Sequence, residues 1–147
     1  MRRAFLWINV VLATLITIGV FVQAYLITAY VSGAGEGALD AHGFLGFAII
    51  HPAELLVFLT AFGAWPRAWR WIGFTFFLFV LGTVQIFLAP PDDDPASGWV
   101  HGFHGMLALF VAVTSAVIAF RGLRDLDLVR RGAPAADAGA APPPPLP

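Results

Sequence analysis

Four long apolar runs, at about residues 4–31, 42–64, 69–89 and 99–120, decide what this chain can fold into. A helix needs about 20 apolar residues to cross a hydrocarbon core of about 30 Å. Each run meets that length. Lipid offers no partner to backbone N–H and C=O groups, so a spanning segment must satisfy its own, as a helix does. Short loops between the runs predict an all-α membrane protein built as an antiparallel bundle of four transmembrane helices. Charge agrees: only 12% of the 147 residues are charged, about half the share of a soluble domain. The first run exceeds the about 7–15 residues of a signal-peptide core, so it reads as a retained span.

The cations predict an orientation. Arg2 and Arg3 precede the first run, Arg67 and Arg70 lie between the second and third, and Arg121, Arg124, Arg130 and Arg131 follow the fourth. The loops "SGAGEGALD" and "PPDDDPASG" carry acids and neither Lys nor Arg. The positive-inside rule then expects both termini in the cytoplasm of a bacterial cell, with the bundle in its inner membrane. Trp65, Trp69 and Trp71 suit the inner interface, Tyr30 and Trp99 the outer one. A net charge of −1 offers no basic surface for nucleic acid. The chain has no cysteine, which excludes disulfides, thiolate metal sites and cysteine nucleophiles. The expected division is a membrane domain over 1–125 and a tail over 126–147, whose end, "GAPAADAGAAPPPPLP", is rich in Pro and Ala and reads as disordered.

Two words recur in order. "VQAYL" (22–26) is followed by "HGFLG" (42–46), and "VQIFL" (84–88) by "HGFHG" (101–105). This predicts an internal repeat of two similar helical hairpins, as is familiar in membrane proteins. Matching His42 to His101 gives an offset of 59 residues, against 62 between Gln23 and Gln85, so the loops must differ by three. The second and fourth helices then run parallel, diagonal to one another, with His42 and His101 level near the outer end. Gln23 and Gln85 lie some 7–12 Å below the outer ends of their helices at about 1.5 Å per residue. Amides are costly in lipid and should turn inward toward the histidines. Gly43, Gly46, Gly102 and Gly105 remove bulk beside them, so that a helix or a flat ligand can approach.

His104 follows His101 by three residues and shares its face. His51 lies nine residues past His42, on the opposite side of the second helix, and shares a face with Glu54. That places an ionisable pair near mid-bilayer, where a charge is costly and a purpose is the default expectation. Pro52 beside them frees the carbonyl of Ala48. Thr114 and Ser115 lie at similar depth on the fourth helix.

Three readings compete for the outer histidines. Two imidazoles from parallel helices suit the axial positions of one b-type haem, with Phe44 and Phe103 lining the ring. An ion such as copper or zinc would take His42, His101 and His104 with Asp40 assisting. Or the rings are hydrogen-bonded interface residues of a cofactor-free accessory module that acts through helix partners. His51 and Glu54 add a fourth possibility, proton-coupled transport. No Ser-His-Asp order, phosphate loop or HExxH is present, so no catalytic residue is assigned and enzyme activity is not expected. Asp92–Asp94 read as a solvated loop.

The glutamine late in the first and third helices, with H-x-x-x-G at His42–Gly46 and at His101–Gly105, resembles a family of small four-helix bacterial membrane proteins catalogued as a domain of unknown function. The likeness covers residues 1–125 and implies the fold. More distantly the layout resembles one half-bundle of haem A synthase, which implies haem near His42 and His101. The chain departs from that enzyme in having a single half-bundle, no cysteine pair in the first outer loop, and Leu39 where the enzyme carries a glutamate, with Asp40 one position away. The resemblance therefore implies haem binding rather than haem oxidation. The leading expectation is haem b, for electron transfer or haem handling, held by His42 and His101. His104 is the substitute should His101 point away, Gln23 and Gln85 support the ligands, and the partners are the bilayer and membrane redox or helix partners.

Overall fold

The computed structural model describes residues 1–88 and 97–129. They form four long helices: α1 (Arg2–Ala29), α2 (Glu36–Ala64), α3 (Trp69–Phe87) and α4 (Ser97–Asp125). All four are long and apolar enough to cross a membrane, and the described residues contain no strand. The acidic loop Asp92–Asp94 and the Pro/Ala-rich stretch beyond residue 129 lie outside the described residues.

α2 begins at Glu36, six residues before the apolar run, so His42 sits in its second turn rather than at its start. Gly33 and Gly35 make this early start feasible. They hold φ of 92° and 88°, a region that side chains with a Cβ avoid, and so reverse the chain within a few residues. Inside α2 the backbone widens to a π-helical stretch over Leu45–Ile50. The N–H of His51 bonds to the carbonyl of Gly46, five residues back. Pro52 follows directly, in the first turn of the resumed α-helix, where its missing N–H costs nothing.

Neighbouring helices run antiparallel. α1 packs against α2 and α4, α3 packs against the same two, and the diagonal pairs α1–α3 and α2–α4 make no close backbone approach among the described residues. For helices that span lipid, the drive to associate is close packing rather than the expulsion of water. Small residues permit it: a side chain at Gly122 would collide with Val10, and one at Gly63 with Phe5.

The packing is uneven along the bundle. At the arginine end, Ala13, Val57, Leu78 and Ile118, one from each helix, are 0% exposed (Ile16 is at 1%). At the histidine end no residue of 21–49, 83–88 or 98–110 is fully buried. The fully buried core thus occupies one half of the bundle, and the other half is packed only in part.

The arginine end is also clamped by polar contacts. Trp65 Nε1 donates to Asp125 Oδ2 at 2.8 Å, and Arg121 Nε donates to the same oxygen at 3.1 Å. Arg2 Nε donates to the carbonyl of Ala64 at 3.1 Å. The Arg121 guanidinium lies 5.0 Å above the ring of Trp71. Leu126, the residue after α4, is buried, so ordered packing continues past the helix end.

Candidate functional site

The partly packed half carries the histidine layer. His42 Nδ1 donates to the main-chain carbonyl of Gln23 on α1, at 3.1 Å. His104 Nδ1 donates to the main-chain carbonyl of Gln85 on α3, also at 3.1 Å. A carbonyl only accepts, so both neutral rings carry their proton on Nδ1 and leave a bare lone pair on Nε2. This is the arrangement of a metal-binding histidine, whose second nitrogen is tied to a carbonyl or carboxylate. The two rings approach each other across the α2–α4 diagonal, with centroids 6.3 Å apart and planes inclined at 46°.

Both imidazoles are half-buried, whereas His101, one turn before His104, is exposed. No group of three or more His, Cys, Asp or Glu able to hold a metal ion is assembled among the described residues. This corrects the ion site expected from His42, His101, His104 and Asp40. Helix geometry explains it: Asp40 is an exposed residue on the first turns of α2.

Gln23 and Gln85 add a second matched feature. Each has its amide oxygen, Oε1, buried with no hydrogen-bond partner. The amide nitrogen of Gln23 packs against Gly46, where an added Cβ would stand 2.6 Å away. Added Cβ atoms at Gly43, Gly102 and Gly105 meet nothing within 4 Å. The glycines beside the histidines therefore border open space, save Gly46, which makes room for the glutamine.

Below this layer lies His51, whose Nδ1 is 3.1 Å from Glu54 Oε2. Two further polar links cross the core. Thr17 and Ser115 share a hydroxyl–hydroxyl bond of 2.8 Å between α1 and α4. Asn9 Nδ2 donates to Thr60 Oγ1 at 2.6 Å and to the carbonyl of Val57 at 3.3 Å, joining α1 to α2. Sequence reasoning missed the Asn9 link. Its one signal was the chain's single asparagine within an otherwise apolar run.

No protein-family model, no curated protein and no solved structure matches this chain.

Proposed function

We propose that this chain is a four-span protein of the bacterial inner membrane, with both termini in the cytoplasm, that holds one b-type haem at its histidine end between His42 and His104. The observation that carries the reading is the facing pair of imidazoles, each with its free nitrogen fixed as Nε2. A separation of 6.3 Å between ring centroids is of the size that one metal ion between two imidazoles would require, with bonds of about 2.0–2.1 Å.

The donor set favours haem over a bare ion. Two protein ligands are too few for a zinc or copper site, whereas a porphyrin supplies four nitrogens of its own and asks for two more. No residue of the histidine end is fully buried, so the two rings are not enclosed by a packed core. Held by His42 and His104, a haem would supply one-electron chemistry. The protein's part is to fix the tautomers through the carbonyls of Gln23 and Gln85 and to hold the rings level.

The pairing also supports two hairpins of common pattern. Gln23 to His42 and Gln85 to His104 are each 19 residues apart. The offset between the halves is then 85 − 23 = 62 and 104 − 42 = 62. With His104 in place of His101, the three-residue loop adjustment is not needed. The distribution of arginines supports the orientation.

The test is the absorption spectrum of protein purified from haem-replete cells. A Soret band that is lost in the double variant His42→Ala, His104→Ala is expected. Colourless, folded protein from those cells would overturn the reading and leave the cofactor-free accessory module.

A further inference from the structure

Glu54 is the one ionisable side chain fully buried among the described residues, at 1% exposure. Its seat comes from two helices. On α2, His51 Nδ1 stands 3.1 Å from Oε2. On α3, Gly82 leaves the space the carboxylate occupies, since any side chain there would collide with it. Phe79 of α3 stacks on the imidazole, with centroids 5.1 Å apart and planes at 15°. A carboxylate in a cradle that only glycine permits is a built feature of the bundle.

The position along the axis gives the pair its direction. His51 follows Ile50, the first fully buried residue of α2, so it stands where the partly packed half meets the fully buried core. Its side chain keeps 22% of its surface exposed. About one turn beyond Glu54 toward the arginine end, Ala13, Val57, Leu78 and Ile118 are each 0% exposed. The imidazole is thus partly accessible at the level where the fully buried core begins, and the carboxylate is backed by an apolar layer.

We propose that His51 and Glu54 form a proton-exchange site with access from one side, taking up and releasing one proton through the histidine half while sealed from the arginine end. In the empty form the Glu54 carboxylate accepts from His51 Nδ1–H. A proton entering at His51 Nε2 drives the Nδ1 proton onto Glu54 Oε2. This leaves a neutral carboxylic acid that donates to Nδ1 of the other tautomer. One N–H bond forms, one N–H bond becomes an O–H bond, and the pair gains a single positive charge that cancels its own. Release is the reverse. A net charge at this depth is costly, so the loaded, neutral form is the resting one. The site does not depend on a bound haem.

The experiment is infrared spectroscopy of the full chain in liposomes as the medium is changed from H2O to D2O. A carboxylic-acid carbonyl band is expected that is absent in Glu54→Gln and shifts in D2O. Should Glu54→Gln fail to assemble, Glu54→Asp makes the assignment by moving the band. His51→Gln offers Glu54 an acceptor oxygen as well as an N–H donor but has no second ring nitrogen to relay a proton, so the band stays and its exchange slows at least tenfold. A merely structural histidine would leave the exchange rate unchanged, and that result overturns the proposal. So does the lack of any Glu54-dependent band. An imposed pH gradient is expected to persist as long as in protein-free liposomes; its collapse would overturn the seal.

Discussion

His42 and His104 sit on helices whose backbones make no close approach, yet their rings lie 6.3 Å apart, each tied by Nδ1 to a main-chain carbonyl one helix earlier. The tether uses the backbone of Gln23 and Gln85 and leaves their side chains out of it. Ring orientation is thereby insulated from the identity of the tethering residue, which separates the roles of histidine and glutamine in the variants below.

His42→Ala and His104→Ala are each expected to remove bound haem, measured as haem per protein after purification. His101→Ala is expected to retain it, because the tethered, half-buried ring opposite His42 is that of His104. Retention by His104→Ala together with loss in His101→Ala would reverse the assignment.

The amide oxygens of Gln23 and Gln85 are buried without partners. An unsatisfied buried polar group costs about 1–3 kcal/mol. Gln23→Met and Gln85→Met preserve shape and both main-chain tethers. Each is expected to raise the thermal midpoint of the ligand-free protein while leaving haem content intact. A fall in midpoint would mean that the amides are satisfied in the membrane.

Gly46 and Gly43 are three residues apart and have opposite surroundings. A Cβ at Gly46 stands 2.6 Å from the Gln23 amide, and one at Gly43 meets nothing within 4 Å. Gly46→Val is expected to destabilise by about 1–3 kcal/mol through overpacking. Gly43→Ala should be neutral or stabilise by up to about 1 kcal/mol through helix propensity. Unfolding in detergent, followed by circular dichroism, compares the two.

Asn9 and Thr60 join α1 to α2 through a 2.6 Å bond. Interhelical hydrogen bonds in membrane proteins couple by about 0.6 kcal/mol on average and up to about 1.7. A double-mutant cycle with Asn9→Ala and Thr60→Ala is expected to return a coupling in that range. A value of zero would assign the asparagine to its bond with the Val57 carbonyl alone.

Asp125 gathers Trp65, Arg121 and Arg2 at one carboxylate oxygen. Asp125→Ala strands the indole N–H and is expected to cost about 1–3 kcal/mol. Asp125→Asn keeps an acceptor for Trp65 and should cost less. Trp fluorescence during unfolding reads both variants at the site itself.

The number of helices, their antiparallel order and the shared face of His51 and Glu54 are legible because hydropathy and the 3.6-residue period carry them. The start of α2 is not. Glu36 and Asp40 end the apolar run, but hydrogen bonding continues through them, so hydropathy marks a boundary with lipid rather than the end of a helix. The π-helical stretch at Leu45–Ile50 is hidden for a different reason: an all-apolar segment looks the same at either period. His101 and His104 share a face, and the word "HGF" draws the eye to His101. The Gln-to-His spacing of 19 singles out His104, and its meaning becomes visible once the carbonyl bonds are seen. The partner of Asn9 depends on how α1 and α2 register in depth, which no local pattern encodes.

Because one carbonyl tether joins α1 to α2 and the other joins α3 to α4, each hairpin orients its own imidazole without help from its neighbour. Whatever bridges the two rings therefore rivets together two prefabricated pieces. It would do so at the end where no residue is fully buried, so a bridging group would add there the cohesion that the packed core supplies at the other end.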